Sequence, residues 1–502
     1  MHAEILVHLI DGFAIAFRPE NLLFAFLGVF LGTIVGVLPG IGPAGALALI
    51  LPIVFSLNPV SAIIMLAAVY SGAMYGGSTT SILLNVPGES SSVVTCLDGH
   101  QMALQGRAGP ALCIAAIGSY IAGTLGVVGL MLFGPVLANF ALRFGPPEYF
   151  ALMVFGLSAV SSLAGESLIK GLMTMTFGLL LTTIGTDVTG VERYTLNIDD
   201  LVEGIEFLAL TIGLFAISEV LLTSGKLRNG KAKSIIEHKL WITLKDFLRS
   251  FGAIIRGSII GFFVGVLPGA GAGIASFISY SVETQISRHP ERFGRGEIRG
   301  VAAPESANNA ASSGAMVTML TLGIPGSGTT AIMLAALMAL DVNPGPLIFT
   351  AHPDVVWGLI AALYVGNIML LILNLPLIGI FVRLLFIPMQ MLLPVIIVIS
   401  VVGVYNANQS VFDLVLLCGF GLLGYFMRKN GYPVAPVVLG FVLGGRMEES
   451  LRQSMIMFQG DPFFLIERPI GIFFIVLAFI FLILPHVIRW LSGGAAIERE
   501  DS

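Results

Sequence analysis

The sequence has few charged residues. Lys, Arg, Asp and Glu make up 11% of its 502 residues, less than half of the roughly 25% that a soluble domain carries. It has no basic surplus either, because 25 Lys and Arg stand against 30 Asp and Glu, for a net charge of −5. These shortages exclude an ordinary cytosolic enzyme, a disordered chain and a nucleic-acid-binding protein, which needs a basic face.

Cysteines and catalytic motifs are also scarce. The three cysteines, Cys96, Cys113 and Cys418, lie in or beside apolar segments at no metal-ligand spacing, so we interpret them as packing residues. The chain has no GxxxxGK[ST] phosphate loop and no HExxH or GxSxG motif. We therefore predict that the protein is neither a P-loop ATPase nor an enzyme.

Long uncharged runs dominate what is present. Residues 21–88 contain no Asp, Glu, Lys, Arg or His. As α-helix this run would measure roughly 100 Å, enough for about three crossings of a ~30 Å hydrocarbon core. Similar runs cover 108–142, 257–282, 308–340, 355–382 and 384–412, and the mean hydropathy is +0.94. The sequence predicts an all-α polytopic membrane protein with about 10–12 transmembrane segments.

Several sequence blocks occur twice in the same order. GVLPGIGPAG at 36–45 returns as GVLPGAGAGI at 265–274, and LLNVPGESSS at 83–92 returns as TLGIPGSGTT at 321–330. ALQGRAGPAL at 103–112 is echoed by ALDVNPGPLI at 339–348. The blocks predict two repeated transmembrane halves, 20–225 and 251–455, followed by a C-terminal transmembrane helix at 470–490. A duplication of this length is typical of secondary transporters.

The main polar segment lies between the halves. Residues 224–256 hold eight Lys and Arg, so the positive-inside rule places this linker in the cytoplasm. Within 226–250 and just beyond it, apolar residues spaced 4, 4, 3 and 4 apart predict an amphipathic helix in the membrane interface, with a soluble linker helix as the alternative. These residues are Ile236, Leu240, Leu244, Phe247 and Phe251.

The charge of equivalent loops bears on the orientation of the halves. The loop 288–299 carries four arginines and is expected in the cytoplasm, whereas its first-half equivalent, 56–59, is neutral. This difference favours halves of inverted topology. Arg143 and Arg383 occupy matching places and favour parallel halves instead.

Each half carries two segments that interrupt a helix. Pro39 and Gly40, and again Pro268 and Gly269, predict helix breaks, the second at the tip of a re-entrant hairpin; a tight packing kink is the alternative. The other break is a Pro-Gly pair beside hydroxyl and amide side chains. A helix that restarts there offers free N–H groups and its positive end to an anion.

We therefore predict that the solute binds at the two Pro-Gly breaks. The residues are Ser78, Thr79, Thr80, Asn85, Pro87 and Gly88 in the first half, and Pro325, Gly326, Ser327, Gly328, Thr329 and Thr330 in the second. The alternative is that these hydroxyls bond only to their own helices. We expect the two breaks to meet near the membrane midplane and enclose one solute.

A second cluster precedes the later break. Amide and hydroxyl oxygens are good ligands for a cation such as Na⁺, and a carboxylate would neutralise its charge. We predict a coupling-ion site at Glu305, Asn308, Asn309, Ser312 and Ser313, with no other metal and no cofactor. An ion-driven secondary transporter is the leading interpretation. The alternative is an ion or solute channel built from repeated broken helices.

These same strings resemble a known family. YGGSTTSILLNVPGES at 75–90, DGHQMALQGRAG at 98–109, APESANNAASSG at 303–314 and TLGIPGSGTTA at 321–331 resemble TctA, the large membrane subunit of the tripartite tricarboxylate transporters. The resemblance implies a carrier in the bacterial inner membrane that imports citrate or another carboxylate with an inward Na⁺ or H⁺ gradient. It also implies two partners, a small four-helix membrane subunit (TctB-like) and a periplasmic solute-binding protein (TctC-like).

Overall fold

The computed structural model describes residues 2–38, 42–163, 167–187, 189–224, 241–384 and 389–491. Within these ranges the chain is helical, which confirms the all-α prediction, apart from a ribbon of β1 (Gly185–Thr186) antiparallel to β2 (Glu192–Arg193). In chain order the helices are α1 (His2–Ala16), α2 (Pro19–Val37), α3 (Gly42–Val54), α4 (Pro59–Leu84), α5 (Val93–Thr95), α6 (Gln101–Leu104), α7 (Ala108–Ala141), α8 (Pro146–Leu163), α9 (Leu168–Leu181), α10 (Phe207–Ile212), α11 (Ser218–Ser224), α12 (Leu244–Val266), α13 (Gly271–Ile286), α14 (Arg299–Leu322), α15 (Gly328–Ala339), α16 (Ile348–Ala351), α17 (Pro353–Asn374), α18 (Ile378–Leu384), α19 (Met389–Asn408), α20 (Val411–Lys429), α21 (Ala435–Met457) and α22 (Pro469–Leu491). Short 3-10 turns at Ser90–Ser92, Asp199–Leu201 and Pro290–Arg292, and π turns at Cys96–His100 and Gly213–Ile217, complete the described structure.

The described helices make the chain a multi-pass membrane protein. Seven stretches are long and apolar enough to cross a bilayer: Pro19–Val37, Pro59–Leu84, Ala108–Ala141, Phe207–Ser224, Leu244–Val266, Pro353–Asn374 and Val411–Lys429. Six more apolar helices are shorter: Ile5–Ala16, Gly42–Val54, Leu168–Leu181, Gly328–Ala339, Leu393–Asn406 and Pro469–Ile483. The expected 10–12 crossings depend on how many of these shorter helices span the bilayer, and that count stays a prediction.

Two predicted features fall on residues that are not described. The break at Pro39 and Gly40 lies outside the described residues, as do residues 225–240 of the linker. The interfacial helix of the linker therefore stays a prediction. From Leu244 onward, the predicted apolar stripe belongs to α12.

The chain forms two compact units, and each draws on both sequence halves. The first consists of Met1–Leu142 and Glu206–Phe426, and the second of Arg143–Ile205 and Met427–Ser502. In the second unit α8 packs on α9, α21 and α22, and α9 packs on α21. The predicted halves 20–225 and 251–455 follow the repeated sequence blocks and not this division into compact units. They therefore stay a prediction.

A pair of parallel helices, α2 and α4, forms part of the first unit. They approach so closely that a Cβ on Gly32 would lie 2.3 Å from the carbonyl oxygen of Val69, and a Cβ on Gly36 would lie 2.3 Å from that of Ala73. Glycine is therefore required at both positions, as in other close helix pairs of membrane proteins. The contacts advance together along both helices, which shows that they run parallel.

The same arrangement occurs between α12 and α14. A Cβ on Gly261 would lie 2.2 Å from the carbonyl oxygen of Ala307, and a Cβ on Gly265 would lie 2.3 Å from that of Ala311. These glycines follow their counterparts in α2 by 229 residues, and their partners follow those in α4 by 238. The offsets are those of the repeated sequence blocks.

Helix α14 is polar and yet buried. Every residue from Gly300 to Leu322 is buried, among α4, α7, α12 and α13. It runs antiparallel to α4: Tyr75 shares a cavity with Ser313, whereas Ser78, one turn later on α4, contacts Glu305, two turns earlier on α14. This antiparallel contact brings the predicted site residues of the two halves together.

Candidate solute and ion site

The first Pro-Gly break folds back on the helix that it ends. Asn85 adopts the left-handed conformation, with φ of 57°, and closes α4. A Cβ on Gly88 would lie 2.5 Å from the Cα of Gly77, so only glycine fits there. A 3-10 turn then begins at Glu89, whose backbone N–H donates to Ser92 Oγ at 3.3 Å.

The second break repeats this geometry. Gly323 closes α14 in the left-handed conformation, with φ of 68°. Ser327 caps α15: its backbone N–H donates to Thr330 Oγ1 at 2.9 Å, and its Oγ accepts from the Thr330 N–H at 3.3 Å. The two breaks thus begin their next helical turn with the same reciprocal cap, 238 residues apart.

The two breaks converge on the first turn of α13. A Cβ on Gly273 would lie 3.6 Å from Ser90 Oγ, and a Cβ on Gly271 would lie 4.0 Å from the Cβ of Ser327. The turn that holds Pro268 and Gly269 separates α12 from α13, and the Gly269 N–H donates to the Gly326 carbonyl at 3.1 Å. Each break therefore lies against the start of the same helix, α13.

The hydroxyls predicted to bind solute have different environments. Thr80 Oγ1 donates to the Gly77 carbonyl at 3.0 Å, and Ser327 and Thr330 are engaged in the cap. Thr329 is 8% exposed and makes no side-chain hydrogen bond within the described residues. Ser78 donates to a carboxylate of the predicted ion site instead. The structure thus separates hydroxyls that serve the fold from hydroxyls that remain free.

The carboxylate of Glu305 is fully buried on α14. It accepts hydrogen bonds from Ser78 Oγ at 2.5 Å, from the Thr95 hydroxyl and from Asn308 Nδ2 at 3.3 Å. No basic side chain of the described residues forms an ion pair with it. Glu283 is almost as deeply buried but is paired with an arginine at 2.5 Å, so the surroundings of Glu305 differ from those of a structural ion pair.

A chain of amides extends from Glu305 to a small cavity. Asn309 Nδ2 donates to Asn308 Oδ1 at 2.5 Å and to Ser119 Oγ at 2.8 Å. The cavity beyond, named here the Asn309 cavity, lies among α2, α4, α7, α14 and α17. Its polar lining consists of Ser71, Tyr75, Asn309, Ser312, Ser313 and Asn367.

A second cavity lies on the other side of Tyr75. Its polar lining comes from Ser78, Thr79, Ser119 and Asn374, and Asn374 Oδ1 is buried there without a hydrogen-bond partner in the described structure. Each cavity has room for about one water molecule. Neither can admit a carboxylate solute in this conformation, but either can hold a water or a small ion.

The sequence did not reveal several of these lining residues. Ser71, Ser119, Asn367 and Asn374 lie singly within apolar helices, and Tyr75 begins the string 75–90 but carries no signal of its own. The signal that could have found them is a polar side chain in a membrane helix, which faces protein or a cavity. Their partners, however, come from other helices and appear only in the fold.

Asp98 lies beside the first break but has another role. Its fully buried carboxylate accepts from the Tyr280 hydroxyl at 2.9 Å and from the backbone N–H groups of Gly294, Gly296 and Glu297 at 2.7–3.0 Å. These bonds hold the arginine-rich loop 288–299 against the first break. Asp98 is a positioning residue with no free acceptor directed at a ligand.

The chain is similar to proteins of one known family. The sequence model of a family described as "Tripartite tricarboxylate transporter TctA family" matches residues 22–439. The chain is 46% identical over 471 residues to the "Uncharacterized 52.8 kDa protein in TAR-I ttuC' 3'region" of Agrobacterium vitis, with 93% of each chain covered. It is also 46% identical over 211 residues to the "Uncharacterized protein in TAR-II ttuC' 3'region" of the same organism, covering 42% of this chain and 87% of that protein. No solved structure matches it.

Proposed function

Because the chain belongs to the tripartite tricarboxylate transporter TctA family, we propose that it is the large permease subunit of a binding-protein-dependent secondary transporter. Its solute is a tricarboxylate or a related carboxylate, imported with an inward Na⁺ or H⁺ gradient. The observation that carries this proposal is the convergence of two Pro-Gly breaks, one from each half, on the first turn of α13.

The chemistry of this convergence suits an anion that must be released again. The start of α13 has no side-chain cap, so its first-turn N–H groups and positive end are open to a ligand. No Lys or Arg lies within either break segment, 85–92 or 323–330. Helix-end N–H groups and the Thr329 hydroxyl supply donors without the fixed positive charges that would hold a polyanion too tightly.

We propose further that the halves are inverted repeats. The equivalent helices α4 and α14 run antiparallel, and each pairs in parallel with α2 or α12 through glycines at matching offsets. Such an arrangement supports a pseudo-twofold axis in the membrane plane, the usual basis of alternating access. The solute and the coupling ion would then bind near this axis.

The partners and location follow from the same proposal. The chain works in the bacterial inner membrane with a TctB-like four-helix subunit and a periplasmic TctC-like binding protein. Its linker 224–256 faces the cytoplasm, in line with its eight basic residues. The start of α12 lies at the same end as the segment after the first break, because Arg107 pairs with Asp246 at 3.4 Å.

Counterflow in proteoliposomes tests the proposed function. The full chain is reconstituted with its two partner subunits, loaded with unlabelled citrate and diluted into labelled citrate. A carrier should show transient accumulation of label, because efflux of unlabelled solute drives exchange. Simple equilibration without accumulation would indicate a channel. No citrate movement, but counterflow of another carboxylate, would correct only the solute.

A further inference from the structure

The Asn309 cavity contains the chemistry of a small cation site. Its polar lining is made only of neutral oxygen and amide groups, from Ser71, Tyr75, Asn309, Ser312, Ser313 and Asn367. We propose that this cavity binds a dehydrated Na⁺ ion and that this ion takes part in transport. The inference rests on the proposed function, and it names Na⁺ as the occupant of this cavity.

Two residues that line the cavity, Asn309 and Ser313, have side-chain oxygens with no hydrogen-bond partner among the described residues. The Ser313 side chain is 4% exposed, and its hydroxyl makes no hydrogen bond within the described residues. Asn309 is 3% exposed and uses its amide nitrogen for Ser119, Asn308 and the Glu305 carbonyl, while its Oδ1 accepts no bond. Both residues line the cavity, so a cation bound there could take both oxygens as ligands.

The amide chain directs negative charge toward the cavity. Asn308 donates to the Glu305 carboxylate and accepts from Asn309, so both amide dipoles point the same way. Their oxygen end lies at Asn309, on the cavity lining. Hydrogen bonds in such a chain polarise one another in a low-dielectric interior. The oxygen end of this chain therefore favours a cation in the cavity, and Glu305 is not one of its ligands.

The size and lining of the cavity restrict its occupant. Room for about one water molecule excludes a hydrated ion and any carboxylate solute. No carboxylate lines the cavity, which disfavours Ca²⁺ and Mg²⁺ because these ions prefer charged oxygen ligands. No carboxylate, imidazole or amine lines it either, so the cavity itself cannot carry a proton at neutral pH. Na⁺ is small enough when dehydrated, carries a single charge and needs no titratable group, so it fits the cavity.

The first experiment measures thermal unfolding of the full-length chain in detergent, without solute. NaCl is titrated against KCl or choline chloride at constant ionic strength, because an ion that binds only the folded state raises the midpoint. We expect Na⁺ to raise it and the other two cations to leave it unchanged. Equal effects of all three salts would overturn the proposal.

Two matched variants locate the ion. Ser313→Ala removes a hydroxyl that has no hydrogen-bond partner in the described structure, so the fold should persist, and the Na⁺ concentration for half the shift should rise about tenfold. Ser306→Ala is the control: its fully buried hydroxyl is on the same helix, also lacks a partner and lies outside the cavity. Equal effects of both variants, or none from Ser313→Ala, would contradict the site. Ser71→Ala provides a second ligand variant.

The outcome separates this inference from the proposed function. Counterflow of citrate with a Na⁺ response that Ser313→Ala and Ser71→Ala do not change would reject the cavity and leave the carrier intact. Na⁺-dependent stabilisation that both variants weaken, without counterflow of any carboxylate, would reject the carrier and leave the cation site. In the working transporter, Ser313→Ala should raise the Na⁺ requirement of uptake by the same factor as that of stabilisation.

Discussion

Ser327 and Thr329 lie two positions apart at the start of α15, but their hydroxyls differ in hydrogen bonding. Ser327 Oγ accepts from the Thr330 N–H and closes the cap that starts the helix. Thr329 has no side-chain hydrogen bond within the described residues. Removing a serine cap costs about 1 kcal/mol of stability. A substitution of Ser327 would therefore change both the stability of the fold and the binding of solute. Thr329 tests binding alone.

We therefore predict that Thr329→Ala weakens solute binding without affecting the fold. Loss of one hydrogen bond to a carboxylate costs roughly 1.5–3 kcal/mol, a factor of about 10 to 150 in affinity. The half-saturating concentration for uptake should rise by that factor at an unchanged melting temperature. Ser327→Ala should lower the melting temperature as well. Unchanged saturation in both variants would make the hydroxyls packing features.

At the scale of elements, glycine contacts decide which helices pair. Glycines on α2 and α12 allow the backbones of α4 and α14 to approach within contact distance, in two copies at matching offsets. Without a hydrophobic driving force between membrane helices, this close packing stabilises the pairs. The antiparallel ribbon of the second unit is held differently, by charged side chains from α21.

Gly261→Ala should separate α12 from α14. Its Cβ would lie 2.2 Å from the Ala307 carbonyl oxygen, and overpacking of this kind costs typically ~1–3 kcal/mol. We expect a lower melting temperature and reduced insertion of folded protein. Gly419→Ala, on α20, meets no atom within 4 Å and should be neutral or slightly stabilising, because alanine favours helix. Equal behaviour of the two variants would contradict the packing argument.

The stability of the second unit should decrease at acidic pH because of the ribbon formed by β1 and β2. Hydrogen bonds from the Thr189 hydroxyl, from the N–H groups of Val191 and Thr189 and from Arg452 hold the pKa of Asp187 well below its usual range. The unfolded chain then binds a proton more readily than the folded one, so this contribution is present at neutral pH and is lost as the pH falls through the folded pKa.

The corresponding measurement is the melting temperature of the full chain between about pH 7 and pH 3, which spans the ordinary carboxyl range. The midpoint should fall with pH in the wild type and fall less in Asp187→Asn, which is already destabilised at neutral pH. Asp199→Asn, an exposed carboxyl on the same connection, is the control and should keep the wild-type slope. Identical slopes for all three proteins would show that Asp187 does not contribute.

At the scale of the whole molecule, the proposed inverted halves would place different loops on the two faces of the membrane. The starts of α2 and α4 share a polar opening with the start of α17, lined by Arg18, Asn58, Asp341 and Asp354. Because α14 runs against α4, the arginine-rich loop before α14 belongs to the opposite face. If that loop is cytoplasmic as proposed, the polar opening would face outward, toward the proposed binding protein.

Single cysteines test this orientation in a chain lacking Cys96, Cys113 and Cys418. Asp354→Cys should react with a membrane-impermeant thiol reagent added to intact spheroplasts, and Arg295→Cys should react only after permeabilisation. Both positions are exposed in the structure. A cysteine that does not react from one side is therefore shielded by the membrane and not by protein packing. Labelling of both from outside would rule out the inverted arrangement.

The sequence alone determined the properties that local composition controls. Uncharged runs of sufficient length identify a membrane protein, because the bilayer sets the length of a crossing. Repeated Pro-Gly strings predict a duplication, and they mark the places where helices end because proline and glycine act on their own backbone. The strings around Thr79 and Asn309 were also long enough to indicate the family.

Only the tertiary structure decided which of these residues meet. Helix α14 is too polar to be recognised as a membrane crossing, yet it lies at the centre of the first unit because α4, α7, α12 and α13 cover it. Ser78 joins Glu305 rather than the solute residues, and Ser71 and Asn367 complete a cavity that no motif marks. Contacts between helices far apart in the chain depend on packing, which no local pattern encodes.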